Sequence, residues 1–254
     1  MTAPKSFKPF FHLSVDDVLE GLIAASDGRT PLGDDPMLGT LDALHEAFGV
    51  RADLYVFCEG TRNNIRRQLD DLSPALASDL RARPWLRLGP HALDMDTPPH
   101  VQSPADLEFT LRRSFDIIER LVGCDRMSRW VRLHHFSECH EAAPLLRSRG
   151  VDTLLTTDKP AVAYRLPQAA RALLRTTGQV RHNGMNFARS HLRVERLSAE
   201  GADSGQLTRL VTEAVDAHGF VTIFTHEVCF AEAGTREVLR SVIEICSELG
   251  LASA

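Results

Sequence analysis

Short apolar runs alternate with amphipathic helical stretches along most of the chain, and nearly every run ends at a side chain with chemical potential. The runs are PFFHLSV (9–15), ADLYVFC (52–58), WLRLG (85–89), RWVRLHHF (129–136), VDTLLTT (151–157) and FVTIFTH (220–226). Helical spacing fills the gaps at 18–26, 38–48, 64–82, 138–149, 205–217 and 235–249, with DGRTPLGDDP (27–36) a loop. Gly49 and Gly150 stand where helices stop, and Ser103-Pro104 opens a helix whose Leu107, Leu111, Phe115 and Ile118 share one face. Strands that are almost continuously apolar belong to sheets covered on both faces. The alternation therefore predicts an α/β fold with a mostly parallel sheet, as one domain over 1–254. Region 158–200 breaks the rhythm and reads as an insertion, with AVAYRLP and HLRVERL as short strands around a small helix.

The polar residues after the runs are Asp16-Asp17, Glu59, His91, His134-His135 and His226. Ligands in α/β folds bind at the carboxyl ends of the strands. Side chains from four separate strand ends meet only if the sheet curves into a barrel or a deep cleft. Of two adjacent carboxylates, one can hold a divalent metal while the other takes a proton from water, although an Asp before a helix is also a common N-cap. His91 and His100 flank a Pro-rich loop that also carries Asp94 and Asp96. Imidazole and carboxylate together suit zinc or a similar divalent ion. By alternation Arg132 and His134 face one way and His135 the other, so Arg132 can pair with Asp16. His226, ending a buried strand, is a general-acid candidate or a satisfied core histidine. His12 shares its side of the strand with Ser14 and Asp16. Lys159 and Arg165 are weak candidates for contact with an anionic substrate group. His45, His140, His182, His191 and His218 receive no role.

Composition removes several classes. The 254 residues carry 29 Lys+Arg against 34 Asp+Glu, a net charge of -5, which argues against a nucleic-acid partner. No window approaches the roughly 18 consecutive apolar residues of a transmembrane helix, and Lys8, Pro9, His12 and Asp16 interrupt any N-terminal signal sequence. The five cysteines form no CxxC pair and suit a reducing cytoplasm. GxGxxG, GxxxxGK[ST] and GxSxG are all absent. A His-x-His pair on the first strand would suggest an amidohydrolase, but the spacing here is His12 to Ser14.

The order of these motifs resembles the NodB-type polysaccharide deacetylases. Ser14-Val15-Asp16-Asp17-Val18 is similar to the first motif, Thr-Phe-Asp-Asp-Gly. His91 falls where the second, His-Ser/Thr-x-x-His, begins, and Arg132 where the third, Arg-x-Pro-x-Gly, begins. Ile223-Phe224-Thr225-His226 resembles the last. FHLSVDDV, WLRLGPHALD, RLHHF and FTHE look closest to a WbmS-like, deacetylase-like subfamily associated with bacterial O-antigen synthesis. The resemblance implies a distorted (β/α) barrel of about seven strands with one divalent metal, zinc by preference. It implies Asp17 and His91 as ligands, Asp16 as general base braced by Arg132, and His226 as general acid. The second-motif histidine position holds Met95, so His100 is the expected third ligand, with Asp94, Asp96 and His135 as alternatives. The Pro position of the third motif holds His134, its Gly is absent, and Val18 replaces the Gly of the first. The implied activity is removal of an acetyl group from an N-acetylated sugar, nucleotide sugar or lipid-linked glycan precursor in the cytoplasm. A catalytically inactive sugar-binding relative is the alternative.

Overall fold

The computed structural model describes residues 8–28, 31–62 and 65–254; the sequence readings that touch residues 1–7, 29–30 and 63–64 lie outside it. Among the described residues the main parallel strands are, in chain order, β1 (Phe10–Val18), β2 (Ala52–Phe57), β3 (Leu86–Ala92), β4 (Trp130–Val131), β5 (Thr153–Leu155), β6 (Met185–Ala188) and β7 (Phe220–His226), and the short strands Leu192–Arg193 and Ala252–Ser253 also pair in parallel, with β7 and β1. Hydrogen-bonded ladders join β7 to β1, β2 and β3 in one sheet and β4 to β5 and β6 in another. A single parallel bridge, Leu88 to Met127, links the two sheets between β3 and β4. On the other side no ladder joins β6 to β7 among the described residues. There the Thr222 hydroxyl of β7 donates to the Arg189 carbonyl just past β6, and a short strand, Leu192–Arg193, pairs with β7. The α/β class and the mostly parallel sheet follow the sequence reading.

The two faces of the strands do different work. Phe11, Leu13 and Val15 of β1 point outward into an apolar layer shared with Leu38, Leu41 and Leu44 of helix Pro36–Phe48 and Leu239, Val242 and Ile243 of helix Ala233–Glu248. Burial of this layer stabilises the fold by roughly 25 cal/mol per Å² of apolar area removed from water. Asp35 caps the first of these helices, accepting from Met37 N and Leu38 N at 3.0 and 2.9 Å, and Gly49 closes it at φ 66.

The alternate residues His12, Ser14 and Asp16 point into an enclosed polar interior. At its base Asp53 accepts from the Arg87 guanidinium at 2.6 Å and the Ser128 hydroxyl at 2.5 Å, with His12 Nε2 at 2.9 Å. Burial alone would raise the Asp53 carboxyl, but His12 and Arg87 hold it below its ordinary value. A chain with this alternation keeps its strands in register, because a one-residue slip would bury Asp53 in hydrocarbon.

Three stretches differ from the sequence reading. Residues 65–68 are the second strand of a hairpin with Glu59–Arg62, not helix, and Arg66 and Arg113 converge on Glu59. RWVRLHHF is strand only at Trp130–Val131; the chain then turns through His135 and Phe136, both left-handed at φ 55 and 52. AVAYRLP is irregular. The buried Glu138 carboxylate accepts from Tyr164 N and Arg165 N at 2.8 Å each, which takes these donors away from any ladder. Region 158–200 itself supplies β6, with Gln179–His182 as its antiparallel neighbour. Among the described residues no helix is long and apolar enough to cross a membrane.

Candidate metal and acid–base site

All the polar strand ends named from the sequence, apart from Glu59, border one cavity of about 580 Å³ at the carboxyl end of the parallel strands, a size suited to a small ligand. Adjacent residues of a regular strand face opposite ways, so Asp16 and Asp17 should not both reach it. They do because Asp17 is left-handed, at φ 60, where the β1–β2 register shifts between Val15 and Val18. Such a conformation costs a non-glycine residue on the order of 1 kcal/mol or more, and strain of this kind gathers at functional sites.

Asp17, His91 and His134 form a tight group. His91 Nε2 lies 3.0 Å from Asp17 Oδ1 and 3.1 Å from His134 Nδ1, and His134 Nδ1 lies 3.5 Å from the same oxygen. His91 Nδ1 donates to the Arg132 carbonyl at 2.6 Å. A carbonyl can only accept, so the proton of neutral His91 sits on Nδ1 and Nε2 keeps its lone pair. Asp17 Oδ1 is buried, yet no donor is aimed at it along a hydrogen-bond line. Burial would raise the Asp17 carboxyl, but the closeness of His134 and His91 holds it far below the ordinary range.

These three atoms fit a divalent cation. Ligand bonds of ~2.0–2.1 Å in a tetrahedron put donors about 3.3 Å apart. Two imidazoles and one carboxylate suit zinc, and the His91–carbonyl bond is the outer support that fixes a ligand's tautomer. His100, the expected third donor, is not in this group. It is exposed on the cavity wall with Nδ1 3.0 Å from the Ser137 hydroxyl. Asp94 folds onto its own loop, accepting from Asp96 N, Thr97 N and the Thr97 hydroxyl at 2.7 to 2.9 Å. Asp96 and His135 are exposed. His134 takes the place because Phe57 packs against both His91 and His134, ring to ring at 5.2 and 4.9 Å.

The second carboxylate has a different setting. Asp16 is buried, and its Oδ1 accepts from Arg132 Nη1 at 2.8 Å. Arg132 is itself 1% exposed, donates at 3.0 Å to Ser14 and to Ser190, and lies over the Phe224 ring at 4.0 Å. The pairing inferred from alternation is present, and it leaves the other Asp16 oxygen for the cavity.

His226 is the direct neighbour of Asp16, the two being register partners on adjacent parallel strands. Its Nδ1 is 2.7 Å from Glu195 Oε1. Burial would lower the His226 imidazole, but the bond to Glu195 and the charges of Asp16 and Asp17 raise it above its ordinary value. Sequence reasoning missed Glu195. It sits inside HLRVERL, read as a strand, where the chain becomes helical at Val194–Ala199. The next residue after His226 also has a task. The Glu227 carboxylate accepts from Leu19 N and Glu20 N at 3.0 Å and Gly21 N at 2.6 Å, tying the end of β7 to the turn that follows Asp17.

No family model matches this chain, and no curated protein matches it. Solved structures do. A mutant of a CE4 family pseudoenzyme from Bacillus anthracis, with restored enzymatic activity, is 12% identical at a TM-score of 0.52, covering 97% of this chain and 65% of that one. This chain thus spans about two-thirds of that relative's length. The Bc1960 peptidoglycan N-acetylglucosamine deacetylase is 11% identical at 0.56, covering 97% of this chain and 86% of that one. The 4-alpha-glucanotransferase of Thermococcus litoralis is 12% identical at 0.62, covering 96% of this chain and 37% of that one. Identities this low speak to architecture alone. The order of the parallel strands, the cavity at their carboxyl ends and these likenesses together give the chain the NodB-type polysaccharide deacetylase fold.

Proposed function

We propose that this protein is a metal-dependent hydrolase that releases acetate from an N-acetylated sugar or glycan precursor, acting in the cytoplasm in bacterial surface polysaccharide (O-antigen) synthesis. The observation that carries this reading is the placement of three separate chemical units on one strand-end rim: the Asp17–His91–His134 donors, the Arg132-braced Asp16 and the Glu195-held His226. A divalent cation, zinc by its donors, would be held by Asp17, His91 and His134 and would supply Lewis-acid polarisation of the acetyl carbonyl and acidification of a water. Asp16 takes the proton of the attacking water through its free oxygen. Arg132, donating to the other oxygen at 2.8 Å, fixes the plane of Asp16. His226, kept protonated by Glu195, gives its proton to the departing nitrogen. Phe57 packs against His91 and His134, and Phe224 against Arg132 and His226, which holds these side chains in place.

A catalytically inactive sugar-binding relative is the second reading. Met95 in place of the second-motif histidine favours it, and one of the similar structures is itself a pseudoenzyme. One experiment separates the two. The protein is loaded with zinc, its metal content is measured, and acetate release is followed across a panel of N-acetyl sugars, nucleotide sugars and lipid-linked sugars. About one zinc per chain, lost in Asp17→Ala and His91→Ala, together with acetate from one substrate supports the hydrolase. Sugar binding without metal or acetate supports the alternative.

A further inference from the structure

The charge of the cavity wall is unbalanced. Its carboxylates are Asp16 and Asp17, whereas Arg132, Lys159, Arg165 and Arg193 also line it. Arg132 is spent on Asp16. A divalent cation on Asp17 would leave a further positive charge there. Arg165 and Arg193 have carboxylate partners, Glu141 and Asp158, but neither partner lines the cavity. These carboxylates hold the guanidiniums from behind. Arg193 is further fixed by stacking over Phe224 at 5.0 Å and Phe136 at 5.6 Å, and its buried Nε has no acceptor. Lys159 is exposed and has no carboxylate within 4.0 Å among the described residues, because its neighbour Asp158 is engaged by Arg193.

The segment carrying Lys159 and Arg165 is fastened to the frame. Lys159 N donates to the Thr157 hydroxyl at 3.2 Å, Val162 N to the Lys159 carbonyl at 2.9 Å, and Tyr164 N and Arg165 N to Glu138. Three cations held in place beside the acid–base pair are more than a neutral acetamido sugar requires. Guanidinium forks and an unpaired ammonium are the donors that recognise phosphate.

We propose that the substrate is an N-acetyl sugar that carries a phosphate, and that Lys159, with Arg165 and Arg193, receives this phosphate while the acetamide reaches Asp16 and His226. This rests on the hydrolase reading for the acetamide end only. A nucleotide sugar and a lipid-diphosphate sugar share the required chemistry.

The test measures binding, which does not depend on turnover. The zinc-loaded full chain is titrated calorimetrically with N-acetylglucosamine 1-phosphate and with the neutral methyl N-acetylglucosaminide. The phosphate form should bind at least about tenfold tighter, and the advantage should shrink to less than about threefold in Lys159→Ala and in Lys159→Glu. Equal binding of the two sugars overturns the proposal. So does a preference that survives in both variants, since the phosphate is then held by the metal, and so does stronger binding of an N-acetylated uronic acid. UDP-N-acetylglucosamine and a short-chain polyprenyl diphosphate sugar form two further arms, and the tighter of them identifies the source. If the preference is found and no acetate appears, the hydrolase reading falls and this one stands. If a neutral acetamido sugar is deacetylated as fast as its phosphate, the reverse holds.

Discussion

His134 reaches Asp17 at the carboxyl end of the strands, Nδ1 to Oδ1 at 3.5 Å, although 116 other residues separate them in the chain. The left-handed pair His135 and Phe136 turns the chain back after β4 and so aims His134 at the donors. His134, not His100, should therefore be needed for the cation. His134→Ala is expected to weaken zinc binding by more than the roughly 10–100-fold that loss of an outer-shell partner costs. His100→Ala should retain about one zinc. Metal titration of both variants decides it, and unchanged affinity in His134→Ala would remove it from the donor set.

Asp16 should be dispensable for the metal and indispensable for turnover. Asp16→Asn preserves the shape but cannot accept the proton, so kcat should fall by about 10²–10⁴ with zinc content unchanged. A variant that keeps most of its acetate release would assign the base elsewhere.

Arg132→Met leaves the buried Asp16 without its partner. Removing one member of a buried ion pair costs about 3–5 kcal/mol. Urea unfolding should show a loss of this order, and Arg132→Met with Asp16→Asn together should recover part of it. An additive double variant would mean that the pair is not coupled.

Activity should depend on pH through His226 in a defined direction. The imidazole must be protonated to act as the acid, and Glu195 raises its pKa. Activity is then lost as pH rises through that raised value. Glu195→Gln should move the alkaline limb of kcat/KM to lower pH without moving the acid limb set by the base. A profile that does not move would make Glu195 structural only.

A half-buried imidazole pair outside this cavity should govern acid stability. His191 Nε2 is 2.8 Å from His218 Nδ1, and burial, with His218 and Arg189 nearby, pushes His191 down to about 3. A depressed folded pKa contributes stability that is present above the ordinary imidazole value and is lost as pH falls towards the folded one. The loss is about 1.4 kcal/mol per pH unit for one proton. Urea midpoints between pH 7 and pH 4 should fall along this slope, and His191→Gln should flatten it.

Much of this was legible in the sequence, for physical reasons that particular residues make plain. FVTIFTH is a strand from Phe220 to His226 as read, because its apolar continuity and β-branched residues leave no other periodicity. Alternation also placed His12, Ser14 and Asp16 on one side and Arg132 within reach of Asp16. The third member of the Asp17–His91–His134 group was not legible. Two consecutive left-handed residues without glycine leave no mark in composition, so the fold-back that presents His134 could not be anticipated. Glu195 escaped because Leu192 and Val194 alternate like a strand, while the chain bends into a helix at Val194.

The three hydrogen bonds that the Glu227 carboxylate accepts from the backbone after Asp17 have a mechanical consequence. They join Asp16 and His226 into one rigid half of the rim, since β1 and β7 cannot part without exposing three amides. The spacing of these two side chains is therefore set by the backbone before any molecule enters the cavity.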